Sequence, residues 1–334
     1  MTQKKITIQD IAKTANVSKS TVSRVLNDTT AVKEDKKQAV LEAMKKLDFQ
    51  PNIFARGLAG GSTMALGIVT QNIGSPFYDS VTQGIVSELV GTNYSPIFVD
   101  GQWDQDVTRA GIRTLIARQV DGLIVVGGYL SEDTLKEIRD DKPIVVVARN
   151  MESWEGSCIY VDNEKGGYEA TKYLIDCGHK QIAHITGIVD HQDSIDRLNG
   201  YKRALDEADI AFDENLIYEG DFNGQSGVLA IESFLMQKRQ FSALFAANDE
   251  MAFGARLALY RKGIRVPEDV SIIGFDNQPD SAYMTPPLTT MAQPSSEMGR
   301  CAARALISVL KNESFDIPKF NADMVIRESV KQVR

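Results

Sequence analysis

A short polar stretch near the start of the chain carries the side-chain types needed to contact DNA. These residues lie on the exposed face of a predicted helix that begins after Ser18, and they are Lys19, Ser20, Thr21, Ser23, Arg24 and Asn27. Long cations and small hydroxyl or amide donors reach phosphates and base edges in a major groove. Short polar helices also pack in many enzymes, so the pattern alone favours DNA reading and ordinary packing about equally.

A second group of polar and aromatic side chains follows the predicted strands of the rest of the chain. Its members are Asn72, Phe77, Tyr78, Arg149, Asp193, Arg197, Phe222, Asn248 and Asp276. A guanidinium, amides, carboxylates and aromatic faces together suit a small polyhydroxylated molecule. Any one loop Asp or Asn is more often a helix cap, and we expect Asp249 to cap the helix that begins there.

Three short helices must position the first group. The first is predicted by four apolar residues spaced i, i+3, i+4 and i+7, which are Ile8, Ile11, Ala12 and Ala15. Thr7 followed by Asp10 is a helix-start signature. Ser18 is placed to cap the second helix, whose apolar face is Val22, Val25 and Leu26. A third helix over 33–47 can close this small core.

Strands and helices alternate from Met64 onward. The apolar runs that predict strands are 65–70, 96–99, 122–126, 143–148, 182–187, 243–247 and 270–275. Helices are predicted between them, at 78–91, 104–118, 131–139, 164–177, 196–208, 224–237 and 249–262. Continuous apolar strands bridged by helices indicate parallel sheets covered on both faces. Their number predicts two α/β lobes, with a ligand cleft where the strands end.

Charge is distributed unevenly along the chain. The net charge is −8, which by itself argues against nucleic acid. Residues 1–62, however, contain 11 Lys and Arg against 6 Asp and Glu, a net charge of +5, while the remainder contains 26 against 39, a net charge of −13. A basic head on an acidic body is typical of a protein that binds DNA with one end.

Composition excludes several other classes of protein. Hydrophobic residues make up 43% of the chain, and no apolar run reaches the ~20 residues that span a bilayer. The N-terminus MTQKKITIQD lacks an apolar segment, so we expect no signal peptide, no membrane association and a cytoplasmic location. Three widely spaced cysteines and three histidines outside any ligand motif predict no metal or other cofactor. The sequence contains no P-loop, GxSxG, HExxH or GxGxxG motif, so none of these signatures indicates an enzyme.

The sequence of the N-terminal motif resembles that of a known family. DIAKTANVSKSTVSRVLN followed by PNIFARGL is similar to the DNA-binding headpiece of the lac repressor family of bacterial regulators, and the resemblance continues to the C-terminus. It implies an all-α helix-turn-helix headpiece plus an α/β, periplasmic-binding-protein-like core of two doubly wound parallel-sheet lobes. The implied domains are a headpiece (1–50), a hinge helix with linker (51–62) and a core (63–334). Within the core, the N-lobe would comprise 63–161 and 293–322, and the C-lobe 162–292 and 323–334.

The resemblance also implies roles for individual residues. Lys19, Ser20 and Arg24 match the base-reading positions, and the implied backbone contacts are Thr7, Ser18, Thr21, Ser23 and Asn27. The hinge would lie in the minor groove with Asn52, Ala55, Arg56 and Leu58, of which Leu58 would be the wedge. Of the nine candidate effector residues named above, the resemblance implies Arg197, Asn248 and Asp276 as polar ligands of a sugar and Phe77, Tyr78 and Phe222 as wall residues. Ala148–Arg149–Asn150 departs from the usual Asp-Arg, which leaves the role of Arg149 open.

Together these features predict a homodimeric repressor that binds operator DNA and is released by a small sugar. The sequence as a whole resembles regulators of galactoside or β-glucoside use. A sugar-binding receptor and a corepressor-dependent regulator remain the alternatives, and an enzyme on an α/β scaffold is the least favoured.

Overall fold

The computed structural model describes residues 6–27, 32–49, 62–151, 154 and 156–333. The predicted hinge residues Asn52, Ala55, Arg56 and Leu58 lie outside these ranges. Within them, three units are described below: a small helical headpiece and two α/β lobes.

The headpiece consists of α1 (Ile8–Thr14), α2 (Lys19–Asn27) and α3 (Glu34–Lys46). The backbone N–H and the hydroxyl of Thr7 both donate to Asp10 Oδ2, at 2.9 and 2.7 Å, which confirms the predicted helix start. Its core is formed by Ile11, Val22 and Val40, which are fully buried. The three predicted helices are therefore confirmed, although Ile8 of the predicted apolar face of α1 is exposed.

The first lobe is built on a parallel sheet with strand order β2-β1-β3-β4-β5. Its strands are β1 (Ala65–Thr70), β2 (Ser95–Asp100), β3 (Gly122–Val126), β4 (Ile144–Val147) and β5 (Cys158–Ile159). The helices between them are α4 (Pro76–Leu89), α5 (Gln105–Ala117) and α6 (Glu132–Asp141). Each of the four longer predicted elements β1–β4 ends within one residue of its predicted limits.

The second lobe has strand order β11-β10-β9-β8-β6-β7, in which only the pairing of β11 with β10 is antiparallel. Its strands are β6 (Ile182–Thr186), β7 (Ile217–Glu219), β8 (Ala243–Ala246), β9 (Ser271–Asp276), β10 (Thr289–Ala292) and β11 (Asp323–Val325). Its helices are α7 (Asn163–Asp176), α8 (Gln192–Glu207), α9 (Gly224–Met236) and α10 (Asp249–Arg261). Helix α8 begins four residues before its predicted limit, so Asp193 lies in its first turn.

The chain passes between the lobes three times. The first crossing follows β5, the second leads from β10 to α11 (Ser295–Leu310), which packs on α4 in the first lobe, and the third leads from α11 to β11. A parallel bridge between Val161 and Phe320 joins the first and third crossings. Both lobes therefore contain segments that are distant in sequence.

Three pairs of helices pack closely enough to require glycine at their crossing points. A Cβ on Gly227 of α9 would overlap the carbonyl oxygen of Met251, and one on Gly254 of α10 would overlap that of Gly224. The pairs α4–α11 and α7–α8 have the same reciprocal arrangement, through Gly84 with Gly299 and Gly167 with Gly200. These crossings fix the helices that begin at the cleft.

A single carboxylate holds the segment through which the chain enters the first lobe. Asp121, just before β3, accepts hydrogen bonds from the backbone N–H groups of Thr63 (2.8 Å) and Met64 (2.9 Å) and from the hydroxyl of Ser62. We call this arrangement the Asp121 clamp. It fixes residues 62–64 to the start of β1.

Candidate functional site

A cleft lies where the carboxyl ends of the strands of the two lobes face each other. It encloses about 640 Å³, part of which is open solvent. Its lining comprises Asn72, Ser75, Pro76, Phe77, Tyr78, Trp103, His191, Asp193, Arg197, Asp221, Phe222, Asn223, Asn248, Glu250, Asp276 and Gln293. Eight of the nine predicted effector residues are among them, in a space of the size that small-molecule sites occupy.

Arg197 of α8 is the buried cation of the cleft. Its Nε donates to Asn163 Oδ1 at 2.9 Å and its Nη1 to the carbonyl oxygen of Ala247 at 2.5 Å. The guanidinium carbon lies 3.7 Å from the centre of the Phe275 ring, so stacking supports the same orientation. Arg197 is 2% exposed, and these contacts fix the orientation of its guanidinium.

Asn163, at the start of α7, is hydrogen-bonded to two cleft residues that the sequence pattern does not link. Its Nδ2 donates to Asp193 Oδ1 at 3.0 Å, while its Oδ1 accepts from Arg197. The distance from Arg197 Nη2 to Asp193 Oδ2 is 4.0 Å. Gly167 contributes as well, because a Cβ there would overlap the backbone of Arg197. Neither Asn163 nor Gly167 was predicted, since both act through Arg197 and Asp193.

Asp276 is the last residue of β9 and has a conformation that L-residues rarely adopt. Its φ is +108° and that of Asn277 is +55°. Such conformations persist only where the surroundings determine them, and they cluster at functional sites. Gln293 donates to Asp276 Oδ1 at 2.7 Å. Burial raises the pKa of Asp276 to about 6, although Arg197 opposes the shift.

Asp249 does not cap α10, which corrects our prediction. The cap is Asn248, whose Oδ1 accepts from the backbone N–H of Met251 at 2.9 Å. Asp249 is the first residue of the helix and is fully buried; it accepts from Ser281 Oγ, Thr290 Oγ1 and the N–H of Gln278, each within 2.8 Å. Burial and the nearby Asp276 raise its pKa to about 7. Asp249 thereby ties α10 to β10 and to the segment that precedes β10.

Asn248 lines the cleft with its hydrogen-bonding groups already engaged. Besides capping α10, it donates from Nδ2 to the carbonyl oxygen of Phe222 at 2.8 Å. Its observed contacts therefore position the Phe222 loop and α10 relative to each other. A ligand that approaches Asn248 meets an amide whose orientation is fixed.

Aromatic rings from both lobes close one end of the cleft. Trp103 of the first lobe lies 6.5 Å from Phe222 of the second, with an angle of 19° between the ring planes. His191 lies edge-on to both, at 5.2 and 5.8 Å. Trp103 and Phe222 both have left-handed backbones, with φ of +57° and +66°. Two bulky residues in this conformation indicate turns shaped to present their rings to the cleft.

Tyr78 is 6% exposed and lines the first-lobe side of the cleft beside Phe77, in an edge-on ring contact of 5.3 Å. Burial raises the pKa of Tyr78 well above its ordinary value, so its hydroxyl stays protonated. Burial likewise lowers the pKa of His191 and favours its neutral form. The Nδ1 atom of His191 is buried without a hydrogen-bond partner in the described part of the chain.

Arg149 is the predicted effector residue that the structure does not bring to the cleft lining. Its Nη1 donates to the carbonyl oxygen of Leu130 at 2.7 Å, so the guanidinium connects the ends of two first-lobe segments. Burial lowers its pKa. The left-handed Ala148 that precedes it, with φ of +58°, turns the chain at this point.

Trp103, His191 and Gln293 line the cleft and were not among the predicted effector residues. Trp103 follows β2, so its position after a strand was a usable signal, whereas we expected the histidines to be structural or at the surface. Gln293 lies at the second crossing between the lobes and follows no strand that the apolar periodicity had identified. Its role depends on the crossing rather than on a local pattern.

The predicted DNA-reading side chains of the headpiece lie on one side of α2. Lys19, Ser20 and Arg24 are exposed. Ser18 Oγ accepts from the N–H of Thr21 at 3.1 Å, which confirms the predicted cap, and its hydroxyl also pairs with those of Ser20 and Thr21 at 2.7 and 2.8 Å. Thr7 is exposed and Ser23 is partly so, while the side chain of Asn27 lies outside the described residues.

The residues that the structure describes contain neither a cluster of metal ligands nor a membrane-spanning helix. There, no group of three or more His, Cys, Asp or Glu side chains is arranged to hold a metal ion. Within the same ranges, no helix has the length and apolar character needed to cross a membrane. Cys158, Cys177 and Cys301 are free thiols.

Comparisons with known proteins agree with this architecture. Residues 7–52 match the family described as "Bacterial regulatory proteins, lacI family", and residues 171–330 match "Periplasmic binding protein-like domain". The HTH-type transcriptional repressor PurR of Vibrio atlanticus (strain LGP32) is 36% identical over 330 residues, which cover 97% of this chain and 98% of the relative.

Two solved structures extend the comparison to three dimensions. A lac repressor dimer bound to operator and the anti-inducer ONPF has a TM-score of 0.88 at 26% identity, covering 98% of this chain and all of that one. The complex of the transcriptional regulator CelR with cellobiose has a TM-score of 0.72 at 31% identity, covering 97% and 99%. The chain belongs to the LacI family of bacterial regulatory proteins, and it is a DNA-binding transcriptional regulator with a small-molecule effector rather than an enzyme.

Proposed function

We propose that the protein is a homodimeric cytoplasmic repressor that leaves its operator when a small sugar enters the cleft. The observation that carries the proposal is the cleft lining, in which one buried guanidinium and several carboxylates and amides face a pair of aromatic rings. Carboxylates accept hydrogen bonds from sugar hydroxyls, Arg197 donates, and Trp103 and Phe222 cover the C–H faces of a sugar ring. The CelR relative with bound cellobiose supports the choice of a sugar.

The proposed switch follows from linkage between the two binding sites. A sugar that binds one arrangement of the lobes better than the DNA-competent arrangement lowers operator affinity, and DNA lowers sugar affinity by the same factor. A thousandfold change requires about 4 kcal/mol of differential binding, which a dimer can gather from two clefts. We further propose that the headpiece (1–50), the hinge with Asn52, Ala55, Arg56 and Leu58, and the core (63–334) are the three parts of this switch.

The experiment begins with a thermal-shift screen of the full chain against a panel of neutral sugars, since a ligand stabilises the state that it binds. Operator fragments selected with the same protein are then titrated in the presence of each sugar that raises the melting temperature. We expect operator affinity to fall. Tighter operator binding would instead make the sugar a corepressor, and a panel without any stabilising sugar would contradict the sugar assignment.

We propose that Lys19, Ser20 and Arg24 read bases while the hydroxyls of Ser18 and Thr21 contact the DNA backbone. Lys19, Ser20 and Arg24 are exposed on α2, which supports their access to base edges. Arg24→Ala should cost about 1–3 kcal/mol on the preferred operator and should relax the preference at one base pair, because a bidentate arginine discriminates guanine. Binding is measured on a panel of base-substituted operators.

Lys46→Ala, at the end of α3, is the matched control, because it removes one exposed cation from the same headpiece. It should leave the base preference unchanged. If Arg24→Ala weakened binding equally on every sequence of the panel, Arg24 would be a backbone contact and the proposed base-reading role would be wrong.

A further inference from the structure

Four helices begin at the cleft, and their N-termini point towards the space that an effector would fill. They are α4, α8, α9 and α10, whose first residues or caps lie among the lining residues. The N-terminus of a helix carries unpaired N–H groups and a positive partial charge. In the absence of other groups, this arrangement would attract an anionic ligand such as a sugar phosphate.

Carboxylates of the chain itself already occupy these N-termini. Asp79 lies in the first turn of α4 and accepts from the N–H of Gly74, and Asp193 lies in the first turn of α8. Asp221 accepts from the N–H of Asn223 at 2.9 Å, just before α9. The first turn of α10 contains Asp249 and Glu250. Each of the four helices therefore has a protein carboxylate in its first turn or just before it, where the negative charge offsets the positive partial charge of the helix N-terminus.

The cations of the cleft are also committed. Arg197 is the only Lys or Arg among the lining residues that the structure describes. Its Nε and Nη1 donate to Asn163 and Ala247, and its Nη2 lies 4.0 Å from Asp193. His191 is buried and favours its neutral form. The lining contains four carboxylates and only this one guanidinium; the carboxylates belong to Asp193, Asp221, Glu250 and Asp276.

We infer that the cleft excludes phosphorylated and other anionic sugars, so that the effector is a neutral, unphosphorylated one. The inference rests on the proposed sugar-binding function and narrows its ligand class. Sugar hydroxyls donate to the four carboxylates, whereas the phosphate group of a sugar phosphate is mainly a dianion without donors at neutral pH, and any phosphate would lie among like charges. A sugar phosphate should bind at least about 100-fold more weakly than its neutral parent.

The test compares simple probes of defined charge, so the natural effector itself is not required. The full chain is labelled with 5-fluorotryptophan, which gives two ¹⁹F signals because the sequence contains two tryptophans. Trp103 reports on the cleft, and the buried Trp154, whose ring contacts Arg139, serves as the internal reference. Trp154→Phe assigns the signals. The probes are inorganic phosphate, glucose 6-phosphate and glucose, each to about 10 mM, well above a millimolar dissociation constant.

We expect neither phosphate nor glucose 6-phosphate to move the Trp103 signal of the wild-type protein. In the variant Asp193→Asn with Glu250→Gln, both should move it, because two of the opposing carboxylates are gone. The control variant Asp133→Asn with Glu137→Gln removes the same charge from the exposed side of α6 and should behave like the wild type. Glu250→Gln alone replaces the double variant if that protein does not fold.

A phosphate-dependent shift of Trp103 in the wild type would overturn the inference, and so would a cleft variant that behaves like the control. Failure of the proposed function looks different: no neutral sugar of the screening panel would bind, while the phosphate experiment would still give its own answer. The two results are therefore separable.

Discussion

Replacing Arg197 by methionine should lower the free energy of unfolding by about 3–5 kcal/mol and remove effector binding, because it takes one partner from a buried charged network. Arg197 donates to Asn163 and Ala247 and stacks on Phe275, and methionine retains only part of that packing. Asn163 and the carbonyl oxygen of Ala247 would lose their donors. Asp193 and Asp276 would then lie in the cleft without their nearest cation.

The loss should also depend on pH. Arg197 opposes the burial that raises the pKa of Asp276 to about 6, so the pKa of this carboxyl should be higher in the variant. A carboxyl whose pKa is higher folded than unfolded makes stability fall as the pH rises towards the folded pKa. The difference between wild type and variant should therefore be larger at pH 8 than at pH 5.

Urea unfolding at both pH values measures this effect, and Arg203→Met is the matched control. Arg203 lies on the same helix, is about two-fifths exposed and pairs with Glu164 at the surface. Its replacement should cost less than about 1 kcal/mol, as is usual for surface ion pairs. If the two variants were equally stable, the contacts of Arg197 would contribute no more than a surface pair does.

Gly254→Ala should destabilise the second lobe by about 3 kcal/mol, at the upper end of what overpacking usually costs. The added methyl group would overlap the carbonyl of Gly224, and backbone cannot turn aside as a side chain can. Helices α9 and α10 would have to separate. Because Asn248 connects the start of α10 to the Phe222 loop, effector affinity should fall together with stability.

Thermal and urea unfolding measure the cost, and Gly111→Ala in α5 is the control. That glycine is also helical, but a Cβ there would meet only side-chain atoms of Val99, at 3.1 Å and beyond. We expect it to be neutral or slightly stabilising, because alanine favours a helix by about 1 kcal/mol over glycine. Equal effects of the two substitutions would show that the reciprocal glycine contacts are not required.

The regular elements could be predicted from the sequence because their physical signal is local. Strands such as β1 and β3 are buried on both faces and therefore consist of continuous apolar runs, and α1 shows its apolar face at helical spacing. The apolar periodicity did not single out β10 and α11. Helix α11 packs in the first lobe although its neighbours in sequence belong to the second, so its role depends on topology.

The cleft was predicted only in part, for reasons that concern turns and second contacts. Arg197, Asp193 and Asp276 could be predicted as cleft residues, because ligands of α/β folds bind at the carboxyl ends of the strands. Trp103 reaches the cleft because its backbone is left-handed, a conformation that its residue type does not predict. Asn163 acts by holding other residues, which a sequence pattern does not show. The DNA-reading roles, the hinge and the domain limits remain predictions.

The Asp121 clamp couples rotation of the first lobe to displacement of residues 62–64. Strand β1 runs from the clamp to the cleft, where Asn72 follows it, and six residues of strand span about 20 Å. For a rotation centred at the cleft, that strand is a lever arm, and each degree would displace residues 62–64 by about 0.35 Å. Since three consecutive residues are hydrogen-bonded to the carboxylate of Asp121, residues 62–64 move together with the lobe. A rotation too small to alter the packing of either lobe would still move the point from which the chain continues to the headpiece.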